Sequence, residues 1–232
     1  MKSDKTKLHL GCGLTTPASW LNVDGSLNAK LARRPLLRKF LGSLGILSRH
    51  QTDVPWATNV FIHDVRKPLP WTEGTFTAVY ASHLLEHMYV ADANRLLREC
   101  FRVLKPGGAI RIVVPDLWDI IDAYQQRRVT TWALPQGFHS TRGDELVGRL
   151  LMREMDPPRG GWFLRAYRAV NDFHSHKWMY DEESLHQRFK EAGFTEISRR
   201  GCFESRIEGV REVENPDRVN VDGGLCMEAV KP

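Results

Sequence analysis

Cysteine is scarce, and the four present (Cys12, Cys100, Cys202 and Cys226) never fall into a C-x-x-C pair. That spacing argues against a disulfide framework and against a cysteine-built zinc site, leaving reduced core thiols as the expected state. No apolar run reaches the length of a membrane span, and Met1-Lys2-Ser3-Asp4-Lys5 lacks a hydrophobic signal region. Neither a transmembrane helix nor a secretory leader is therefore read, and the expected location is cytoplasmic. Internal repeats and low-complexity tracts are also missing. Acidic residues are absent between Asp24 and Asp53, where Lys30, Arg33, Arg34, Arg38, Lys39 and Arg49 all stand. The formal net charge of the whole chain is +5, so this one segment carries more than the total excess. The rest is close to neutral, which argues against a general polyanion-binding surface and makes nucleic acid an unexpected partner.

What is present is an ample core and a regular rhythm. The 232 residues, 42% of them hydrophobic, suit a single domain spanning 1–232. Seven Trp suggest a lined pocket or lid, with ordinary packing as the alternative. Strand-like segments fall at residues 7–12, 20–24, Val60–Val65, Phe76–Ala81 and Ala109–Val114, with Thr195–Arg199 and Leu225–Val230 as a later antiparallel pair. Helical spacing marks Ala91–Leu104, which stops at Lys105-Pro106-Gly107-Gly108. A second helix starts at an Asp181 N-cap and ends at Gly193. This alternation predicts an α/β fold: a doubly wound, mostly parallel seven-stranded sheet with an antiparallel C-terminal edge strand and helical inserts. Two inserts, 26–59 and 116–180, begin at the carboxyl ends of strands, where ligands of open parallel sheets bind, and so form a candidate substrate lid. The step between the first two strands is too short for a full crossover helix, which predicts a single turn or a loop around Thr15-Thr16-Pro17-Ala18.

The most informative stretch is Lys7-Leu8-His9-Leu10-Gly11-Cys12-Gly13, followed by Trp20-Leu21-Asn22-Val23-Asp24. It reads as a buried strand breaking into a glycine turn, then a second strand ending in a carboxylate. Glycine lets backbone N–H groups approach a ligand, and an acid at the end of the next strand can bind two ribose hydroxyls.

The succession resembles a class I methyltransferase that uses S-adenosylmethionine. It is carried by Leu8-His9-Leu10-Gly11-Cys12-Gly13, Asn22-Val23-Asp24, His63-Asp64-Val65 with Pro68-Leu69-Pro70-Trp71, Phe76–Tyr80 with Ser82-His83-Leu84-Leu85-Glu86-His87, and Arg102–Gly108. The likeness is closest to the branch with Gly-Cys-Gly and Leu-Glu-His motifs, and covers residues 7–116 and, more loosely, 176–230. It implies that Gly11, Cys12 and Gly13 run under the methionine part of the cofactor. Asp24, with Gly25 after it, would take the ribose hydroxyls. Asp64 and Val65 would flank the adenine, although Asp64 could instead be a surface turn residue paired with Arg66 or Lys67. Ser82 and His83 would face the methionine end. Many relatives carry an acid two residues before the first glycine, where this chain has His9; the contact to the cofactor's amino group is thereby left unassigned.

Methyl transfer to a hydroxyl or amine needs alignment and removal of a proton, a task suited to histidine. The candidates are His83, His87, His174 and His176, each with a hydrogen-bonded structural role as the alternative. A carboxylate acceptor would need no base. His83-Leu84-Leu85-Glu86-His87 also matches an H-x-x-E-H zinc-hydrolase pattern, though it directly follows a strand of a nucleotide-binding sheet and lacks an evident third ligand. A non-catalytic protein that binds the cofactor is the other alternative, and no metal is assigned. Pro35 can open an amphipathic helix, either packed on the sheet edge or, with its basic residues, lying on an anionic membrane. The expected partners are a small-molecule, sugar or glycan-type acceptor and peripheral membrane contact through residues 27–49, with a homodimer as the assembly to test.

Overall fold

The computed structural model describes residues 4–43, 56–57, 59–128, 141–151, 175–221 and 223–232. Seven strands form one sheet: β1 (Lys7–Leu10), β2 (Leu21–Asp24), β3 (Val60–Ile62), β4 (Phe76–Ser82), β5 (Leu104–Pro115), β6 (Thr195–Arg199) and β7 (Gly224–Val230), in the order β3-β2-β1-β4-β5-β7-β6. The first five pair in parallel, and β7 runs antiparallel to both β5 and β6. This is the mostly parallel, Rossmann-like sheet expected, with the antiparallel C-terminal strand lying inside β6. Chain order reverses between β1 and β4, so a crevice opens at their carboxyl ends.

Six helices are described: α1 (Leu27–Ala32), α2 (Pro35–Ser43), α3 (Val90–Val103), α4 (Leu117–Gln125), α5 (Arg142–Leu151) and α6 (Glu182–Ala192). In α3 the apolar residues recur at helical spacing and bury Ala93, Leu96, Leu97, Cys100 and Val103. Leu96, Leu97 and Val103 each contribute about 1.5–3 kcal/mol when fully buried. The Asp181 carboxylate accepts from Ser184 N while the Ser184 hydroxyl accepts from Asp181 N, a complete capping box, and α6 ends on left-handed Gly193.

Two apolar clusters sandwich the sheet. One joins Leu8, Leu10, Val79, Ile110 and Ile112 to α3 and α6. The other gathers Trp20, Tyr80 and Val113 under Ile207, Val210 and Val213, which belong to irregular chain and a 3₁₀ turn rather than a long helix.

Several boundaries differ from expectation. Residues 11–20 are loop, which settles the short first step in favour of a loop. Strand β3 stops at Ile62 because Asp64 Oδ1 accepts from Arg66 N at 3.1 Å and turns the chain. Lys105–Gly108 is a kinked start to β5 rather than a turn before it, with Gly107 at φ +75°. Helix α2 begins at Pro35 but buries none of its residues, so this part of the basic segment is not packed onto the sheet edge. No helix among the described residues is long and apolar enough to cross a membrane.

Candidate active site

Three turns converge at the carboxyl edge of β1, β2 and β4. The turn after β1 is made by backbone. Cys12 N donates to Val23 O at 3.1 Å, and Gly11 (φ +64°) packs so closely under Leu84 that a Cβ there would lie 3.1 Å from its Cδ1. Asp24 is held from both sides: its Oδ2 accepts from Gly13 N at 3.0 Å and its Oδ1 from Ser26 N at 2.8 Å. Each oxygen retains lone-pair capacity for a further donor. Gly13 (φ +53°) has nothing within 4 Å of where its Cβ would stand, leaving a cradle beside this carboxylate. Gly25 is constrained for the opposite reason, since a Cβ there would meet His63 O at 2.4 Å. Burial, and secondarily the Asp24 charge, pushes the Cys12 thiol up to about 12, so it is no nucleophile. These residues fit a ribosyl cofactor: an acid fixed by two amides, beside glycines that leave room for it.

After β3, the carboxylate of Asp64 receives two hydrogen bonds from the Arg66 guanidinium, at 2.9 and 2.8 Å. That pairing holds its carboxyl below the ordinary range. Val65 is partly buried against the main core.

The turn after β4 is made by side chains. Ser82 closes the strand. His83 follows in the left-handed region (φ +50°), which non-glycine residues seldom adopt, and its N donates to Val113 O at 2.9 Å. Its Nδ1 lies 3.1 Å from Glu86 Oε1, and its Nε2 is 3.4 Å from Arg218 O. Glu86 is fully buried. Burial favours its neutral form, but His83 and His87 outweigh that and hold its carboxyl below the ordinary range. His87 and His176 lie with ring centroids 5.1 Å apart and planes tilted by 57°, and burial lowers the pKa of His176. Backbone bonds from Lys177 N and Trp178 N to Glu86 O, at 2.6 and 3.2 Å, tie the return of the large insert to this turn.

Three of the four candidate histidines thus meet around Glu86, while His174 lies outside the described residues. His83 and His87 do not share a helix face, because Leu85–His87 is one 3₁₀ turn; the H-x-x-E-H geometry of a helical zinc hydrolase is therefore not formed. Glu86 entered the sequence reading through the Leu-Glu-His motif and that pattern, without a role as the partner of His83. His9 points to the opposite face, between Trp20 and Tyr80, which removes it from the glycine turn's ligand side. Of the tryptophans, Trp20 and Trp71 are core, whereas Trp118 and Trp178 are exposed near the sheet's carboxyl edge.

Comparison with known proteins finds similarity over part of the chain. Residues 8–112 match the family model described as a methyltransferase domain. The chain is 30% identical over 111 residues to methyltransferase GfsG of Streptomyces halstedii, covering 45% of this chain and 36% of that protein. It is 36% identical over 67 residues to an uncharacterized methyltransferase of Synechocystis sp., covering 29% of this chain and 31% of the relative. The matches span about a third of the length of these relatives. Among solved structures, similarity extends to a methyltransferase in complex with the Haloferax volcanii Trm112 activator, with TM-score 0.47, 13% identity, and coverage of 100% and 84% of the two chains. Human N-acetylserotonin methyltransferase with S-adenosylmethionine gives TM-score 0.41, 12% identity, and coverage of 97% and 47%.

Proposed function

We propose that residues 8–112, which match a methyltransferase domain, form a class I methyltransferase domain that uses S-adenosylmethionine, and that the protein transfers the methyl group to a hydroxyl of a small molecule, sugar or glycan precursor. The observation that carries this reading is Asp24, fixed by Gly13 N and Ser26 N beside the empty space over Gly13. When bound, the cofactor supplies an electrophilic methyl group on a sulfonium. Asp24 binds the ribose hydroxyls, next to Gly25. The backbone of Gly11, Cys12 and Gly13 lies along the methionine part, Asp64 and Val65 border the adenine, and Ser82 and His83 border the methionine end.

His83 is the group assigned to take the acceptor proton. Its Nδ1 faces Glu86 at 3.1 Å, which leaves Nε2 for the acceptor once the long contact to Arg218 O gives way. Aligning acceptor and donor supplies most of the remaining rate. Exposed Trp118 and Trp178, on the inserts, offer flat faces of the kind that stack on sugar rings. Segments 26–59 and 116–180 act as the lid of a single domain. In α2, Leu36 and Phe40 are 83% and 59% exposed beside Arg34, Arg38 and Lys39, which supports peripheral contact with an anionic membrane and a lipid-linked acceptor.

The test is incubation of the protein and cell extract with methyl-labelled S-adenosylmethionine, then fractionation into lipid, glycan, RNA, protein and small molecules. Label in the glycan, lipid-linked glycan or small-molecule fraction that disappears with Asp24→Ala is the expected result. Label confined to RNA or protein overturns the acceptor class. Cofactor binding without any labelled product overturns the enzymatic reading in favour of a cofactor-sensing protein.

A further inference from the structure

A neutral imidazole carries one N–H and one lone pair, and only the lone pair can take up a proton. Both ring nitrogens of His83 face an acceptor: Nδ1 lies 3.1 Å from Glu86 Oε1, and Nε2 lies 3.4 Å from Arg218 O. A neutral ring donates to only one of them. Glu86 is fully buried, which works against its charge, but pairing with His83 and the nearness of His87 outweigh that and keep it a carboxylate. An ionised acceptor at the shorter distance is the stronger partner. The N–H therefore goes to Nδ1 and the lone pair to Nε2. Were Glu86 absent, Arg218 O would draw the N–H to Nε2 and turn the lone pair inward. The backbone supports the same pairing, since His83 is held in the left-handed region at φ +50° by its N–H bond to Val113 O.

On the reading of His83 as the group that takes the acceptor proton, we propose that Glu86 is a positioning residue for the transfer. It holds His83 as the Nδ1–H tautomer and so presents Nε2 to the acceptor hydroxyl. The hydroxyl proton goes to Nε2, and its electron pair stays on the acceptor oxygen. The ring then carries a full positive charge beside a carboxylate that is already in place. That pairing strengthens as the proton moves, which lowers the barrier rather than merely tightening binding. Glu86 keeps its own charge throughout and does not touch the substrate. Its backbone serves the same end: Glu86 O accepts from Lys177 N and Trp178 N, holding the return of the large insert, with exposed Trp178, beside the base.

The experiment reads the tautomer directly, by nitrogen-15 NMR of the full chain labelled at histidine, with His83→Gln assigning the signal. At about pH 8, where histidine is ordinarily neutral, the expected result is Nδ1–H in the wild type and Nε2–H in Glu86→Met. That substitution leaves the Glu86 carbonyl, and so the ties to Lys177 and Trp178, in place. Turnover is read with methyl-labelled S-adenosylmethionine and cell extract. Glu86→Met should lower the rate at saturating cofactor by more than tenfold while cofactor affinity stays within about twofold. Glu86→Asp should recover part of the loss, and His186→Ala, an exposed histidine on α6, should change neither readout. Circular dichroism confirms that each variant is folded; if Glu86→Met is not, the wild-type tautomer decides. Any other protonation state of His83 in the wild type, an unchanged tautomer in folded Glu86→Met, or wild-type turnover in that variant would each overturn the proposal. Wild-type protein that shows the Nδ1–H tautomer yet labels no product would overturn the methyl-transfer reading, while the hold of Glu86 on His83 stands.

Discussion

The two faces of the sheet are both buried, but by different chemistry. Under α3 and α6 the contacts are aliphatic and aromatic, and the helices satisfy their own backbone groups. The opposite face is covered by the irregular stretch after β6, which cannot do so. There the sheet supplies the missing partners. Arg111, fully buried in β5, binds Glu214 through Nε at 2.7 Å and donates to the carbonyls of Gly201 and Glu204, both at 2.8 Å. Glu228 in β7 accepts from Arg206 N at 3.2 Å. An irregular cover thus demands charge in the sheet beneath it, whereas a helical cover does not.

Breaking the charged face should have the largest effect. Arg111→Met leaves the buried Glu214 without its cation and Glu228 with Arg206 alone, and should cost about 3–5 kcal/mol, read by chemical denaturation; an unchanged midpoint would mean the ion cluster does not hold this cover. His9 sharpens the contrast through pH. Burial between Trp20 and Tyr80 pushes its pKa down from 6.5 to about 4. The unfolded chain therefore takes up a proton that the fold refuses. Stability is full above pH 6.5 and falls as pH drops towards 4, by about 3 kcal/mol at most. His9→Leu should abolish that part of the acid loss, and an identical pH profile in the variant would refute the assignment. At the edge between the faces, Asp24→Ala should weaken S-adenosylmethionine binding on the order of a hundredfold by calorimetry, the loss of two hydrogen bonds to a charged group. Wild-type affinity would remove Asp24 from the cofactor site. On the apolar face, Ile110→Val should cost only about 1 kcal/mol in thermal or denaturant unfolding. Asp181→Ala, which removes one cap of α6, should cost a similar amount.

The same contrast explains what the sequence made legible. α3 and α6 are announced by periodic leucines and by the Asp181 and Gly193 stops, because local rules govern a helix and its caps. The glycine turn and Asp24 are equally local. Arg111, by contrast, sits in an apolar strand with nothing nearby to show that Glu214 awaits it a hundred residues on. Glu86 is similar: its partner His176 arrives from beyond the large insert. In β5, the Lys105-Pro106-Gly107-Gly108 run carries a turn signature, but pairing overrides it, with Gly107 N donating to Lys231 O at 2.8 Å. Long-range pairing, rather than weak local preference, is what a single chain conceals.

The placement of β7 has a consequence for how the molecule assembles. This strand lies between β5 and β6, yet the whole stretch 116–223 separates it from β5. Until Gly224–Val230 arrives, β5 presents a long, apolar, hydrogen-bond-hungry edge to whatever is nearby. Closing so large a loop is slow. Refolding should therefore pass through an interval in which association with other chains competes with insertion of β7. Yield should fall with protein concentration, and a synthetic peptide of the β7 sequence should compete for the waiting slot.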